Sequence, residues 1–250
     1  MSFKFLCFSV LLFLAVAVNA QRKGHEIDPQ DYQYKHEASG GLRVQTNGVT
    51  LYAQYGWIKD IYRTRLLQID YTYNLSLTDK KLKAKNQNSR DYLFGVQNKF
   101  HVIRLSYGFM RNIADKANRN GVRLSFVFFG GFSLGLLKPY YLDFRNNSDV
   151  GPQLRHEGYS PANAANFLNN DSIEGASPIR YGLNKMQPVP GLSLRAGLNF
   201  DWGTKDAIVK SLEAGVVLDA YYKQLPLLVN NHNRFYQIGF YLSFHLGKRW

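Results

Sequence analysis

The 250-residue sequence contains a single cysteine, Cys7, which lies inside the apolar N-terminal segment. A chain that has lost that segment has no thiol and forms no disulfide. After residue 20, no apolar run reaches the roughly 20 residues that a membrane-spanning helix needs. Acidic residues are also few, 18 against 31 lysines and arginines. These absences exclude a disulfide-stabilised secreted domain and, beyond residue 20, a helical membrane protein.

Residues 1–20 have the pattern of a cleavable secretory signal peptide. Lys4 supplies the positive start, an apolar run follows, and Val18-Asn19-Ala20 puts small residues at the cleavage positions. The mature chain is therefore predicted to begin at Gln21. The residues just before Cys7 are not small, which argues against a lipoprotein anchor.

The formal net charge of +13 is consistent with several acidic partners. For an exported protein, nucleic acid is not expected among them. We expect contact instead with outer-membrane lipids, either anionic headgroups or the phosphates of lipopolysaccharide.

The last segment of the chain, 234–250, alternates between apolar and polar residues over twelve positions. A period of two predicts a strand with one apolar face and one polar face. A long strand of this kind, ending on an aromatic residue, is typical of the last strand of an outer-membrane barrel. Its outward residues are predicted to form the signal read by the barrel-assembly machinery: Leu242, Phe244, Leu246 and Trp250.

The same alternation recurs in seven earlier segments, which gives eight strands, an even number as bacterial barrels require. These segments are 42–46, 49–57, 61–75, 100–110, 121–142, 191–202 and 208–222. The connections 58–60, 112–120 and 203–207 are short, and the connections 76–92, 144–190 and 224–233 are long. With the C-terminus in the periplasm, the short connections fall inside and the long ones outside, as in known barrels.

The predicted fold is an all-β, transmembrane, antiparallel up-and-down β-barrel of eight strands over residues 42–250. A periplasmic lead-in, 21–41, precedes it, and 144–190 forms a long extracellular loop that begins a short helix at Ser160. The first strand, 42–46, is shorter than the nine to eleven residues needed to cross a membrane. Either earlier residues extend it, or the strand count is wrong by two. A soluble all-β protein is the alternative.

The inward positions of these strands carry a balanced set of charges. They are Arg43, Asp70, Arg104, Arg123, Arg195, Asp201, Glu213 and Asp219. Eight strands enclose a lumen that side chains fill, and buried charges are tolerated when they are paired. We therefore predict an ion network that plugs the lumen, with a proton or ion path as the alternative.

Three segments together resemble a family of small outer-membrane β-barrel proteins of Bacteroidota, whose function is not established. They are GGFSLGLLKPYYL (Gly130–Leu142), the segment Ser177–Phe200, and FYLSFHLGKRW at the C-terminus. The likeness extends from about Gly40 onward. It implies an outer-membrane barrel and carries over no catalytic or ligand residues.

Three functional classes remain open on the sequence. A structural or interaction barrel would bind a protein partner through its extracellular loops. A lipid A-modifying enzyme would need a histidine close to a serine or an acid at the outer rim, for which the candidates are His101, His156, Ser148, Ser160 and Asp149. A porin-like channel would need twelve or more strands. No metal-ligand spacing, phosphate loop or nucleophile elbow is present, so no metal and no cofactor are predicted.

Overall fold

The computed structural model describes residues 34–75, 81–83, 90–116, 121–148, 151–203, 205–229 and 233–250. The predicted signal peptide, 1–20, and most of the predicted lead-in lie outside these residues. No helix in the described part of the chain is long and apolar enough to cross a membrane.

Strands dominate the described chain. In order they are β1 (His36–Gln45), β2 (Gly48–Ile58), β3 (Arg63–Asn74), β4 (Lys81–Leu82), β5 (Tyr92–Leu93), β6 (Asn98–Ala114), β7 (Arg123–Pro139), β8 (Tyr141–Ser148), β9 (Gly151–Gly158), β10 (Ile173–Ala176), β11 (Gln187–Asp201), β12 (Ile208–Leu225) and β13 (Arg234–Arg249). A helical turn follows β9, first as a 3-10 turn over Pro161–Asn163 and then as α1 (Ala164–Phe167). A second 3-10 turn covers Leu183–Lys185.

Eight of these strands close into a barrel in the order β1-β13-β12-β11-β7-β6-β3-β2. Every pairing is antiparallel, and β1 pairs with β13 to complete the ring. The predicted fold class, an all-β antiparallel barrel of eight strands, is therefore confirmed. Because the ring is closed, every barrel strand has a paired neighbour on both sides.

The first strand differs from its sequence prediction. It begins at His36 and has ten residues, so residues 36–41 belong to the barrel and not to the lead-in. The polar residues His36 and Glu37 and the pair Gly40-Gly41 concealed the alternation. Gly41 is needed here because a Cβ at this position would overlap the backbone oxygen of Phe244 on β13.

Side chains alternate between the two faces of the wall. Large apolar side chains on the outside are exposed on all eight barrel strands, and Phe132 is 74% exposed. Polar and charged side chains on the inside are buried. We call the end that holds Lys35 and Trp250 the terminal end, and the end that holds Asn47 the loop end.

Two apolar clusters lie inside the barrel. One packs toward the terminal end and contains Leu66, Val127 and Phe129. The other closes the loop end and contains Phe100, Val102, Leu137, Val189, Tyr221 and Leu225. Arg104, Asp70 and Asp219 lie between these clusters, and a second group of buried charges lies at the terminal end.

The long loop predicted over 144–190 is largely ordered and has different limits. Strand β8 already begins at Tyr141, and β11 begins at Gln187, four residues before the predicted barrel strand. Strands β8, β9 and β10 form a three-stranded sheet. The predicted helix start is confirmed, because Ser160 directly precedes the turn that begins at Pro161. The Ser160 N–H donates to Asn163 Oδ1 at 2.7 Å.

This sheet and the helical turn form a unit at the loop end that we call the loop-end module, residues 140–186. It has its own apolar cluster, which also takes in residues of the 90–98 segment: Tyr92, Val96, Tyr140, Leu142, Phe144, Phe167 and Ile173. Burial raises the pKa of the Tyr140 hydroxyl to about 12. That hydroxyl accepts a hydrogen bond of 3.1 Å from the Leu93 N–H.

Candidate functional site

The eight predicted lumen charges fall into two groups. Six of them lie together in the middle of the barrel: Arg43, Asp70, Arg104, Arg195, Glu213 and Asp219. Arg123 and Asp201 lie at the terminal end, in a separate cluster. The period-two pattern explains why all eight point inward, but the pattern gives no height along the barrel axis.

The central group is organised around Arg104 of β6. Its Nε and Nη2 donate to the two carboxylate oxygens of Asp219 at 2.9 and 2.6 Å. Its Nη1 donates to Asp70 Oδ1 at 2.9 Å. All three side chains are buried, so the desolvation of each charge is offset by hydrogen bonds to its partners.

Arg43 of β1 extends the group to the other side of the lumen. Its Nη1 lies 3.6 Å from Asp70 Oδ2, and its Nε donates to Ser243 Oγ at 2.9 Å. Its guanidinium also stacks between two tyrosine rings, at 4.9 Å from Tyr52 and 5.1 Å from Tyr241. Cation–π contacts of this kind stabilise a desolvated arginine.

Gln68 joins the two halves of the network. Its amide nitrogen donates to Asp70 Oδ2 at 2.9 Å, and its amide oxygen accepts from Arg195 Nη2 at 2.7 Å. Arg195 Nε in turn lies 3.6 Å from Glu213 Oε1. The chain of contacts from Asp219 to Glu213 is therefore continuous.

Glu213 of β12 is the other carboxylate at this level. It accepts a hydrogen bond of 2.6 Å from the Tyr241 hydroxyl, and His245 Nε2 lies 3.3 Å from its second oxygen. Three arginines face three carboxylates in this network. Its formal charge is therefore zero when His245 is neutral.

The terminal-end cluster uses different partners. Arg249 contacts both Glu37 and Asp201, at 2.8 and 2.9 Å. Lys116 Nζ lies 3.7 Å from Asp201. Arg123 pairs with Asp115 at 2.8 Å, outside the central network.

Sequence reasoning missed several members of these groups. Gln68, Tyr241 and His245 are neutral or aromatic, and the prediction counted only formal charges. The alternation already placed Gln68 and His245 on inward positions, so the signal was present. Glu37 was missed because the first strand was begun at residue 42.

The space left in the lumen is small. Two cavities lie among the network residues, lined in part by Glu213 and His245 and by Asp70 and Arg104, and each measures about 10 Å³. That volume holds about one water molecule. At this level the lumen is filled by side chains and not by a continuous water column.

The histidine candidates for catalysis lie in two places. His101 faces outward on β6, and its Nδ1 lies 2.7 Å from the hydroxyl of Tyr71. No serine contacts it in the described part of the chain. Ser160 caps the helical turn, and Asp149 lies outside the described residues.

His156 forms a cluster with Asp143 and Ser177 inside the loop-end module. Its Nδ1 lies 2.6 Å from Asp143 Oδ1 and 3.4 Å from Ser177 Oγ, and Ser177 donates to the same carboxylate. In a Ser-His-acid relay, the acid and the serine contact different ring nitrogens. Here both contact Nδ1, so the cluster tethers β8, β9 and the end of β10 and does not form a relay.

Among the described residues, no group of three or more His, Cys, Asp or Glu side chains lies close enough together to hold a metal ion. The C-terminal residues Leu242, Phe244, Leu246 and Trp250 lie exposed on the outside of the barrel. The backbone of Trp250 bonds to that of His36, which ties the chain end to β1.

Comparison with known proteins finds no matching family and no matching curated protein. Solved structures that resemble this chain include Neisserial surface protein A, with 8% identity, 86% of this chain and 96% of that chain covered, and a TM-score of 0.41. Ail, the attachment invasion locus protein of Yersinia pestis, has 9% identity, 88% and 100% coverage, and a TM-score of 0.41.

The N-terminal β-barrel domain of Pseudomonas aeruginosa OprF also resembles this chain, with 8% identity, 84% and 96% coverage, and a TM-score of 0.31. The resemblance to a Bacteroidota family stays a prediction. The assignment of an eight-strand barrel rests on the strand pairing of the chain itself.

Proposed function

We propose that this protein is an integral outer-membrane β-barrel with a plugged lumen, and that its loop-end module binds a protein partner outside the cell. The signal-peptide pattern of residues 1–20 supports export. Exposed apolar side chains on all eight barrel strands support a lipid environment, because an apolar surface that surrounds the whole barrel is unfavourable in water.

The lengths of the connections support an extracellular position for the loop end. The terminal-end connections are 59–62, 115–122 and 202–207, all short. Two of the four loop-end connections, 75–97 and 140–186, are much longer, and 226–233 is as long as the longest terminal-end connection. Bacterial barrels place short turns in the periplasm and long loops outside.

Eight strands and a filled lumen argue against a channel. The alternative of a porin-like channel depended on twelve or more strands, and the barrel has eight. The ion network and the apolar cluster at the loop end both lie across the path that an ion would take.

The observation that carries the interaction role is the loop-end module itself, a folded unit with its own apolar cluster above a closed barrel. Its surface exposes two large apolar side chains, Ile179 at 71% and Leu183 at 46%. Exposed apolar side chains that form a patch can mark a protein contact site.

The remaining partner proposals follow from location. Exposed basic side chains lie at both ends of the barrel, Arg65 and Lys210 near the terminal end and Arg234 at the loop end. The first two suit the phosphates of lipid headgroups at the periplasmic interface, and Arg234 suits those of lipopolysaccharide. The exposed apolar residues of β13 suit recognition by the barrel-assembly machinery. The lipid A-modifying alternative has weaker support, because His156 lacks a relay geometry.

The test compares two double variants in intact cells. Ile179→Asp with Leu183→Asp changes the exposed apolar surface of the module, and Ala165→Asp with Asn170→Asp adds the same charge elsewhere on it. Crosslinking from the cell surface, followed by quantitative mass spectrometry, should detect a protein partner that the first variant loses and the control retains. Equal partner recovery from both variants, or ion conductance of the purified protein in planar bilayers, would contradict the proposal.

A further inference from the structure

The barrel wall has a notch at the loop end, above the turn that joins β1 and β2. This turn is only two residues long, and β1 and β2 therefore end closer to the terminal end than β13 does. The last pairing of β1 with β13 is Gln45 with Tyr241, and that of β2 with β3 is Gly48 with Asn74. The Thr46 N–H still donates to the Phe240 oxygen at 3.0 Å, and β13 then continues from Gly239 to Arg234 without β1 beside it.

Side chains bridge the notch where a backbone ladder would otherwise close it. Asn74 Nδ2 donates to Gln237 Oε1 at 3.1 Å, which connects β3 directly to β13. Asn47 Nδ2 donates to the backbone oxygen of Ile238 at 3.2 Å. Two side-chain hydrogen bonds open at much lower cost than a strand pairing.

A cavity of about 500 Å³ lies behind these bridges. Its lining includes Phe100 and Leu225, which point into the barrel, and Tyr73, Tyr236 and Ile238, which point outward. A cavity lined by both faces of the wall communicates through the wall. Its volume lies within the range of small-molecule sites, roughly 300–1,000 Å³.

The lining of the cavity has an apolar part and a polar, positively charged part. The inner part is apolar and is formed by Leu93, Val96, Phe100, Leu225, Leu227 and Leu228. The lining also includes two cations, Lys99 and Arg234, together with several amide side chains, and no carboxylate occurs among the described residues that line it. An apolar interior with positive charge at its margin complements a molecule with one apolar chain and an anionic head.

The segments that roof the cavity are held by specific contacts. Gln97 N–H donates to the Leu227 oxygen at 2.8 Å, and Val229 N–H donates to the Gly95 oxygen at 2.9 Å. These bonds join the 90–98 segment to the 226–229 segment across the mouth of the barrel. The cavity therefore has a preformed roof, which lowers the entropy cost of binding a ligand.

We infer that this cavity binds an anionic amphiphile, whose acyl chain enters through the notch between β3 and β13 and whose head group contacts Lys99 and Arg234. The entry from the lipid side rests on the proposed membrane location. The head group is a carboxylate or a phosphate, and the two are chemically equivalent at this site.

The test uses the full protein in a neutral maltoside detergent and native mass spectrometry. Three probes with the same chain are dodecanoate, dodecyl phosphate and dodecyltrimethylammonium. We expect one bound molecule of an anionic probe per protein and little of the cationic one. The relative occupancy of the carboxylate and phosphate probes identifies which head group is preferred.

The variants separate the two parts of the site. Lys99→Gln with Arg234→Gln removes the cations and should weaken binding at least about tenfold, because the charge-assisted contacts with the head group are lost. Leu228→Trp fills the apolar part and should also reduce occupancy. Lys210→Gln removes a cation at the other end of the barrel and should change nothing.

Heat-modifiable migration in gels checks that every variant is folded. Unchanged occupancy in both the double variant and Leu228→Trp, or equal binding of the cationic probe, would overturn the inference. The assay needs no cells and no protein partner. Its failure would therefore leave the proposed interaction role untouched.

Discussion

Arg104 of β6 and Asp219 of β12 bond across the lumen through two parallel hydrogen bonds of 2.9 and 2.6 Å. Strands β7 and β11 separate these two strands in the wall, so the pair crosses the interior and does not follow the sheet. Asp70 holds the third nitrogen of the same guanidinium. The pair therefore fixes the distance between opposite sides of the barrel.

Replacing Arg104 by Met should destabilise the barrel strongly. The change leaves Asp219 without its guanidinium partner and removes one of the two arginine partners of Asp70. Breaking one side of a buried ion pair costs about 3–5 kcal/mol. Urea unfolding in lipid vesicles, followed by heat-modifiable migration, measures the loss.

Lys210→Met is the matched control, because Lys210 is exposed on the outside near the terminal end. It should leave the unfolding midpoint close to that of the wild type. The double variant Arg104→Met with Asp219→Leu should recover part of the loss, since one of the two carboxylates is then removed. Equal stability of Arg104→Met and the wild type would show that the network does not hold the barrel together.

The neighbouring residues Gly130 and Gly131 should respond differently to alanine. A Cβ at Gly131 would overlap the backbone oxygen of Leu105 on β6, whereas a Cβ at Gly130 would meet only Leu194 Cδ2 at 3.5 Å. Gly131→Ala should therefore separate β6 from β7 and impair assembly, and Gly130→Ala should assemble normally. The folded fraction in the membrane, measured by heat-modifiable migration, distinguishes the two.

Replacing Phe132 by Arg tests the lipid environment. The side chain is 74% exposed near the middle of β7. In a bilayer, a charge on the lipid face of a barrel costs about 2–4 kcal/mol at the midplane and less toward the interfaces. Phe132→Arg should lower the free energy of unfolding in vesicles, and Phe132→Leu should not. A barrel whose outer face contacted water would show no such penalty.

Most of the barrel was predictable because a closed sheet imposes a strict period of two. Eight strands, their faces and the inward direction of all eight charges follow from that period alone. The limits of β1 were not predictable, because Gly40 and Gly41 carry no side chain to show the period. Their role is steric and depends on the partner strand, as the contact of Gly41 with Phe244 shows.

The internal order of the network was less predictable. Inward direction does not decide whether Arg123 meets Asp70 or Asp115, since that depends on strand tilt and register. The loop-end module was hidden for a different reason. Asn, Gly and Pro are frequent in 144–190, and the strands there are short and pair mainly with one another, so no long alternation marks them.

Phe167→Ala should unfold the loop-end module without opening the barrel. The side chain is fully buried and packs against Phe144 and Tyr159, at ring distances of 5.5 and 5.6 Å. Removing a buried phenylalanine costs about 3–5 kcal/mol, which a small module cannot absorb. Limited proteolysis should cut within 140–186 in the variant only, while the barrel keeps its folded migration.

Exposed Tyr222 offers a control for that experiment, because its removal from the outside of β12 leaves the module intact. Tyr222→Ala should show the protease resistance of the wild type. If Phe167→Ala resists proteolysis as well, the cluster around Phe167 does not hold the module together.

The turn at the terminal end carries a pH-dependent contact between Asp115 and Arg123. Burial would raise the pKa of Asp115, but the hydrogen bond and charge of Arg123, with the Lys116 N–H at 2.8 Å, outweigh it and hold the pKa below its usual value. A carboxyl whose pKa is lowered by folding stabilises the folded state above its unfolded pKa. That contribution is lost as the pH falls through the folded pKa.

The expected effect is modest because the Asp115 side chain is 48% exposed and its charge is screened by salt. Arg123→Gln should raise the pKa of Asp115, and the carbon NMR signal of its carboxyl group reports this directly. Added salt should reduce the difference between wild type and variant. An unchanged titration midpoint in Arg123→Gln would mean that the Lys116 N–H, and not the ion pair, sets the pKa of Asp115.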